Sequence, residues 1–516
     1  MVMQASTSNI DTAVLIIGAG PTGLVLALWL TRLGVPVRII DKSREPGLTS
    51  RAIAVQARTL EFYRQFGFVE EILEQGVKID EIRFHKDQKL INELPLGDFG
   101  GSLSPYPFLL MYPQDEHERF LIKQLDQAGV TVERSTELTV FKETINGIEA
   151  TIVKESKVET INALFLCGCD GAHSTVRHIT GIGFPGSAYC QVLFLADVFA
   201  EGEIVDGKVH LCMSDQDFYI VLPIRHSKTL RLIGMVPKSC ENKEAITFDD
   251  VSAQIPNITG LAIKQLNWFA TYQVHHRVAN SFQKGRAFLL GDAGHIHSPV
   301  GGQGMNTGIG DAINLSWKLA DVLQGRASPE LLQTYESERI AFARKLVGST
   351  DQLFKFIANR KTFGRAWRNI VVPIIAPLLT KTHFGPTFLF RLISQIGINY
   401  RKSIISQGKV GSIHGGDRLP WLQFNKTDTF ESLKLLNWQI HIYGQTSAIV
   451  KGLAQQRQIP VYTFAWTTSM RNIGLEEDAY YLIRPDGYIA LAASGQNPEA
   501  LASYLATRQN LLLPPQ

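Results

Sequence analysis

Three glycine–aspartate stretches hold the residues best suited to gripping a phosphorylated, hydroxyl-rich ligand. The first is Gly18-x-Gly20-x-x-Gly23, followed about 18 residues later by Asp41. In this spacing the first glycine permits a tight turn, the second lets backbone approach a pyrophosphate, and the third lets a helix pack on a strand. The acid accepts hydrogen bonds from a ribose diol. The second stretch is Asp170-Gly171, at the end of "ALFLCGC". Alone it reads as a buried strand and an Asp-Gly turn. The third, "GDAGHIHSPVGGQGMNTGIGDA", starts at Gly291 and offers Asp292 to ribityl or ribose hydroxyls. Its glycine-rich loop through Pro299, Gly304, Met305 and Asn306 lets backbone come close to a ligand. His295 and His297 form an HxH pair without a cluster of ligands at metal spacing, so they read as packing or ligand-adjacent residues, and no metal is expected.

Those residues act together only if rigid elements deliver them. The apolar run 14–17 reads as a buried parallel strand, 24–33 as a helix ending at Gly34, and 37–40 as a second strand ending at Asp41. That unit is a Rossmann-type βαβ fold for a dinucleotide, and by itself it does not separate NAD from FAD. Residues 287–290 form another buried strand, delivering Gly291-Asp292, and an amphipathic helix starts near Asn306. A short helix starts near Ser174.

Composition sets the frame. The chain has 516 residues, 45% hydrophobic and 19% charged, with net charge +3, which is ordinary for a globular protein of several domains and too weak to argue for nucleic acid. The cysteines, Cys167, Cys169, Cys190, Cys212 and Cys240, are odd in number and lack CxxC spacing, which fits reduced thiols in a cytoplasmic protein. The apolar run "AVLIIGAG" is too short and glycine-rich for a signal peptide, and no apolar run is long enough for a spanning helix.

Taken in order, the three motifs resemble the single-component FAD-dependent aromatic hydroxylases, flavoprotein monooxygenases of the phenol and polyketide hydroxylase type. "SRAIAVQARTLEFYRQFG" adds Arg51 and Arg58 at that family's arginine positions, and "YPQDEHERFLIKQL" adds Gln114, matching a glutamine that reaches the ribityl chain. The resemblance implies a permanently held FAD, with NADH or NADPH docking transiently, since the chain has no second GxGxxG and no redox cysteine pair. It implies that reduced FAD captures O2 as a flavin hydroperoxide and passes one oxygen to a small aromatic substrate. The helix near Asn306 would then face the flavin's pyrimidine edge, where negative charge develops on reduction. Phenol hydroxylases carry an aspartate where this chain has Ile53, so a larger polyketide-like or quinone-like aromatic is as plausible as a simple phenol. Tyr219, Arg225, His226 and Tyr272 are the candidates for activating the substrate, and the sequence does not choose among them. The alternatives are an epoxidase or antibiotic-inactivating oxygenase of the same fold, and a non-catalytic membrane-peripheral flavoprotein.

The expected organisation is an α/β FAD-binding fold in three parts (1–80, 113–180 and 281–350). A mainly antiparallel substrate sheet is inserted at 181–280, with further strands from 81–112. Residues 351–410 form a basic helical connector. From Gln352 to Gly416 there are ten basic residues and no acidic one, so this stretch is either a solvated face or a contact with an anionic membrane surface. Residues 411–516 read as β-α-β-β-β-α with a hairpin at Pro485-Asp486-Gly487. This resembles the thioredoxin-like C-terminal domain of the larger hydroxylases. Lacking cysteine, it is expected to be structural or to form a homodimer.

Overall fold

The computed structural model describes residues 10–47, 52–96, 103–215, 217–224, 228–240, 243–298, 301–358, 387, 390–391, 393–424, 427–495 and 497–507. Arg51, Arg225, His226, Pro299 and most of the basic connector lie outside them. No helix among the described residues is long and apolar enough to cross a membrane.

The first sheet runs in the order Gln283–Lys284, Ala287–Leu289, Lys157–Gly168, Thr12–Ile17, Val37–Ile40, and the strands Thr136–Thr144 and Gly147–Lys154 join it through Lys157–Gly168. Thr12–Ile17, Val37–Ile40, Lys157–Gly168 and Ala287–Leu289 are parallel to one another. Val14, Leu15 and Ile16 are fully buried, as expected for a strand covered on both faces. The helix Pro21–Arg32 is apolar nearly all round because it packs on the sheet beneath helices Gly304–Leu323 and Gln114–Gln127. Gly304–Leu323 begins slightly earlier than its apolar periodicity alone indicates.

The second sheet has eight strands in the order His295–Ile296, Ala262–Val278, Gly186–Glu201, Thr229–Met235, Phe218–Pro223, Val209–Met213, Glu81–Lys86, Lys89–Pro95. Strand alternation gives it two apolar faces. Phe194, Val198, Tyr219, Val221 and Leu232 form an outer core with Ile255 and Ile258 of a short helix. Ile82, Val209 and Leu222 face inward onto Ile53, Ile79 and Met111. Leu109–Met111 does not join this sheet; it pairs with Ala54–Val55 and Val77–Ile79 in a small sheet of its own below the inner face.

The C-terminal part carries a four-stranded sheet in the order Val461–Phe464, Gln439–Tyr443, Ala479–Ile483, Ile489–Ser494. Its first pair is parallel and the other two are antiparallel. A short helix, Thr468–Asn472, adds one element to the expected β-α-β-β-β-α order. Buried ions join this part to the cofactor side. Arg484 bonds Glu338 through both Nη atoms at 2.8 and 3.0 Å and Asp486 at 2.6 Å, and Lys318 bonds Glu338 at 2.9 Å. Arg58 enters the same interface. It donates to Glu61 and to the Asp486 carbonyl, each at 2.8 Å, and stacks over Phe62.

Candidate active site

All three glycine–aspartate stretches leave the carboxyl ends of neighbouring parallel strands. Ile17 lies opposite Gly168, and Gly168 opposite Leu289. The chain doubles back around the central strand: Val37–Ile40 flanks Thr12–Ile17 on one side and Lys157–Gly168 on the other. Such a reversal opens a crevice beyond the strand ends, where open α/β sheets bind ligands.

Close packing explains two of the glycines. Gly18 has φ +101°, and a Cβ there would lie 2.4 Å from the Cys169 carbonyl oxygen. A Cβ on Gly23 would lie 2.0 Å from the Gly18 oxygen. Around Gly20 and Gly171, by contrast, nothing lies within 4 Å of where a Cβ would be. Gly20 is the N-cap of Pro21–Arg32, whose first-turn backbone N–H groups favour an anion, and Gly171 lies in the turn that follows Lys157–Gly168. Asp41 takes the Ala19 N–H and the Ser43 N–H, each at 2.7 Å, so it fastens the glycine loop to the end of the second strand as well as standing at the ribose position.

Asp170 has a helix-capping role. Its Oδ2 accepts the Val176 N–H at 3.1 Å, at the start of helix Thr175–Thr180, while Oδ1 is buried without a hydrogen-bond partner among the described residues. Burial raises its pKa against those helix bonds. Arg177 then ties this turn to the third stretch by donating to the Ala172 and Ala293 carbonyls at 2.8 and 2.9 Å.

The third stretch is braced from below. Gly291 adopts φ +57°, and Cβ atoms on Gly291 and Gly308 would lie 2.8 and 2.3 Å from Thr22 Oγ1. Asp292 is exposed at the crevice end. Asn306 is buried and fully bonded: Oδ1 accepts from Gln56 N and Thr59 Oγ1, and Nδ2 donates to the Ala54 and Gly302 carbonyls. It therefore shapes the loop. Met305 is half-buried against the main core. Gln114 accepts the Ala52 N–H at 3.3 Å and donates to Glu118 at 2.8 Å. His295 bonds Asp311 at 2.6 Å, which makes it a packing residue. His297 Nδ1 takes part in a bond with the Ser298 carbonyl, its Nε2 is buried without a partner among the described residues, and burial pushes its pKa down to about 4.

These features fit FAD: open backbone at Gly20 and Gly171, and buried polar atoms on Asp170, His297, Ser298 and Gln56 that have no hydrogen-bond partner among the described residues. Of the candidates for substrate activation, Tyr219 lies in the outer core of the second sheet, away from the crevice, and Tyr272 packs on the inner face. Arg58, at a family arginine position, serves the C-terminal interface instead. Sequence reasoning missed Asp311, Arg339 and Gln56. Asp311 stood in the quoted third stretch, but neither a motif nor a period marked its partner Arg339.

A sequence model of the family described as "FAD binding domain" matches residues 11–350. The chain is 32% identical over 434 residues to pentachlorophenol 4-monooxygenase of Sphingobium chlorophenolicum, covering 81% of this chain and 77% of that protein. It is 33% identical over 374 residues to 6-methylpretetramide 4-monooxygenase of Streptomyces rimosus, covering 71% of this chain and 64% of the relative. Among solved structures, the anhydrotetracycline hydroxylase OxyS from Streptomyces rimosus superposes with TM-score 0.79 and 25% identity, over 98% of this chain and all of that one.

Proposed function

Because the chain belongs to the FAD-binding-domain family, we propose that it is a flavin-dependent monooxygenase that hydroxylates an aromatic compound, with NADH or NADPH as transient reductant and O2 as the oxygen source. The observation that carries this reading is the convergence of the three glycine–aspartate stretches at one crevice, beside the apolar inner face of the second sheet.

The pyrophosphate is assigned to the N-terminus of Pro21–Arg32 over Gly18, Gly20 and Gly23, and the adenosine ribose to Asp41. Asp292 takes ribityl hydroxyls, and Asp170-Gly171 lines the middle of the cradle. Arg51, Gln114 and Pro299 complete the set by family position. The loop through Gly304, Met305 and Asn306 holds backbone close to the ring, and Asn306 keeps its shape through four hydrogen bonds. When bound, FAD supplies the redox chemistry that activates O2. The chain's own work is to position the aromatic ring and exclude water, and the inner face of the second sheet suits both tasks. Ile53 contributes to that apolar face, which favours a substituted or fused-ring aromatic over a small phenol. The C-terminal part is assigned a thioredoxin-like, structural role, bonded to the cofactor side through Arg484 and Arg58.

The test is NADH and NADPH oxidation by the FAD-loaded protein against a panel of phenols and fused-ring polyketides, with products analysed by mass. A product gaining one oxygen supports the reading. Turnover that is unaffected by every aromatic, or that ends only in H2O2, would contradict it.

A further inference from the structure

The seam between the third glycine loop and the second sheet holds a polar cluster that the reading above leaves unused. The short strand His295–Ile296 pairs with the end of Ala262–Val278, His295 opposite Val278 and Ile296 opposite Arg277. His276 follows immediately along that long strand. Alternation places Tyr272, Val274 and His276 on the same face. Tyr272 and Val274 pack with Leu193, Phe218 and Met235, and Ile220 links that group to the inward-facing core over Ile53 and Ile79. His276 thus stands where the apolar inner face ends and the cofactor loop begins.

Groups from two other elements meet its ring. Ser187 Oγ, on the neighbouring strand, lies 3.0 Å from Nε2, and Asp351 Oδ1, on helix Gln333–Ala358, lies 4.0 Å from Nδ1. The Tyr189 ring packs 4.9 Å away, centroid to centroid. The Tyr189 hydroxyl donates to Asp351 Oδ1. Burial and that carboxylate raise the tyrosine's pKa, so it remains a donor. On the same strand, the adjacent His275 lies within electrostatic reach of His276, Arg277 and His173. Nδ1 of His276 is buried and has no hydrogen-bond partner among the described residues. With the tautomer assigned so that Nε2–H donates to Ser187, the Nδ1 lone pair, 4.0 Å from Asp351 Oδ1, makes no hydrogen bond among the described residues.

We propose that His276 accepts the proton of an aromatic hydroxyl on the substrate, with Asp351 and Tyr189 as its positioning residues. This rests on the aromatic-hydroxylase reading. In the step, the O–H bond of the bound phenol breaks and its proton joins Nδ1. The electron pair stays on oxygen as phenolate, which enriches the ring for electrophilic attack. The imidazolium so formed faces the Asp351 carboxylate, which stabilises it.

The test uses the full-length, FAD-loaded protein without reductant and 4-nitrophenol as the probe. The phenolate absorbance of the bound probe is followed against pH. In the wild type, the bound probe ionises at lower pH than the free one. His276→Asn moves that midpoint back by about one pH unit, a roughly tenfold loss of bound phenolate at a given pH below it. Asp351→Asn moves it part of the way. His275→Asn, on the opposite face of the same strand, leaves it in place. An unchanged midpoint in His276→Asn, or an equal change in His275→Asn, overturns the proposal. Unmodified flavin absorbance and near-ultraviolet circular dichroism confirm that each variant is folded. Product formation by the wild type separates the two ideas. Hydroxylation with an unmoved midpoint sinks the assignment of His276 alone, while a moved midpoint with no oxygenated product from any phenol sinks the hydroxylase reading.

Discussion

Asp311 and Arg339 form a buried ion pair beneath the third glycine loop, Nε to Oδ1 at 2.6 Å. The other carboxylate oxygen accepts the Gly291 N–H at 3.0 Å and bonds His295 at 2.6 Å. Arg339 continues to the Thr307 carbonyl at 3.0 Å and the Tyr400 hydroxyl at 2.9 Å. Burial alone would raise the Asp311 pKa, but the guanidinium and the imidazole hold it below the usual carboxylate range. One pair therefore fixes the left-handed turn at Gly291, the first turns of the helix behind it, and the segment leading to the C-terminal part.

Arg339→Met leaves Asp311 buried without its strongest partner, a change that costs about 3–5 kcal/mol in comparable sites. Both the unfolding midpoint and FAD affinity fall, read by calorimetry and by quenching of flavin fluorescence. An Arg339→Met protein with wild-type FAD affinity would contradict a role for this pair in setting the cofactor loop.

Two glycines of the first loop separate folding from binding. A Cβ on Gly23 meets the Gly18 carbonyl oxygen at 2.0 Å, so Gly23→Ala disturbs the helix–strand contact and lowers stability. Around Gly20 no protein atom lies within 4 Å of a Cβ. Gly20→Ala therefore keeps the wild-type melting temperature of the apoprotein and loses FAD affinity by tenfold or more, because the methyl occupies space assigned to the pyrophosphate. Equal stability losses in both variants would argue against the cradle.

The parts that could be read in the sequence are those that depend on local pattern. The strand at Val14 and the helix after Gly20 announce themselves by glycine spacing and a continuous apolar run. The link between Asp41, Asp170 and Asp292 came from family resemblance, and the strand register then supplies its physical basis. What pattern could not give is long-range pairing. Arg339 looks like any helix-surface arginine until the fold brings it to Asp311. The destination of Leu109–Met111 depended on which strand edge lay nearest, and a short apolar run carries no such information. The face of Tyr219 was likewise open until the strand registers set it outward. Tyr219→Phe is accordingly expected to leave kcat/KM within twofold of wild type, measured by NAD(P)H oxidation with a turned-over aromatic.

At the interface with the C-terminal part, Glu338 bonds both Arg484 and Lys318. Burial pulls Lys318 down to about 8, while Glu338 beside it pushes the other way. Arg484→Met removes the fork that joins Glu338 to Asp486, leaving Glu338 to Lys318, Asn314 and Ser403 and Asp486 to Trp317, and Arg484→Lys does not rescue it, since one ammonium lacks the fork that reaches both acids. Thermal unfolding of the two variants should show similar, large losses. A fully stable Arg484→Lys protein would contradict this account of the interface.

Acid sensitivity follows from buried neutral histidines. Burial lowers His117 and His441 from 6.5 to about 3, and His297 to about 4. Between pH 6.5 and those values the unfolded chain takes up protons that the folded chain refuses. Stability present at neutral pH is therefore lost as pH falls, by at most about 1.4 kcal/mol per histidine per pH unit. Denaturant midpoints measured from pH 7 to pH 4 should fall steadily, and a flat profile would contradict these burials.

As proposed, the crevice joins FAD chemistry to an aromatic ring beneath the inner face of the second sheet. Turnover under isotope-labelled O2, with NADH or NADPH and an aromatic panel, tests it most directly by mass analysis of the product. The predicted result is one labelled oxygen on the ring for each NAD(P)H consumed. Unlabelled product, or reductant consumption that yields only H2O2 with every aromatic, would contradict it.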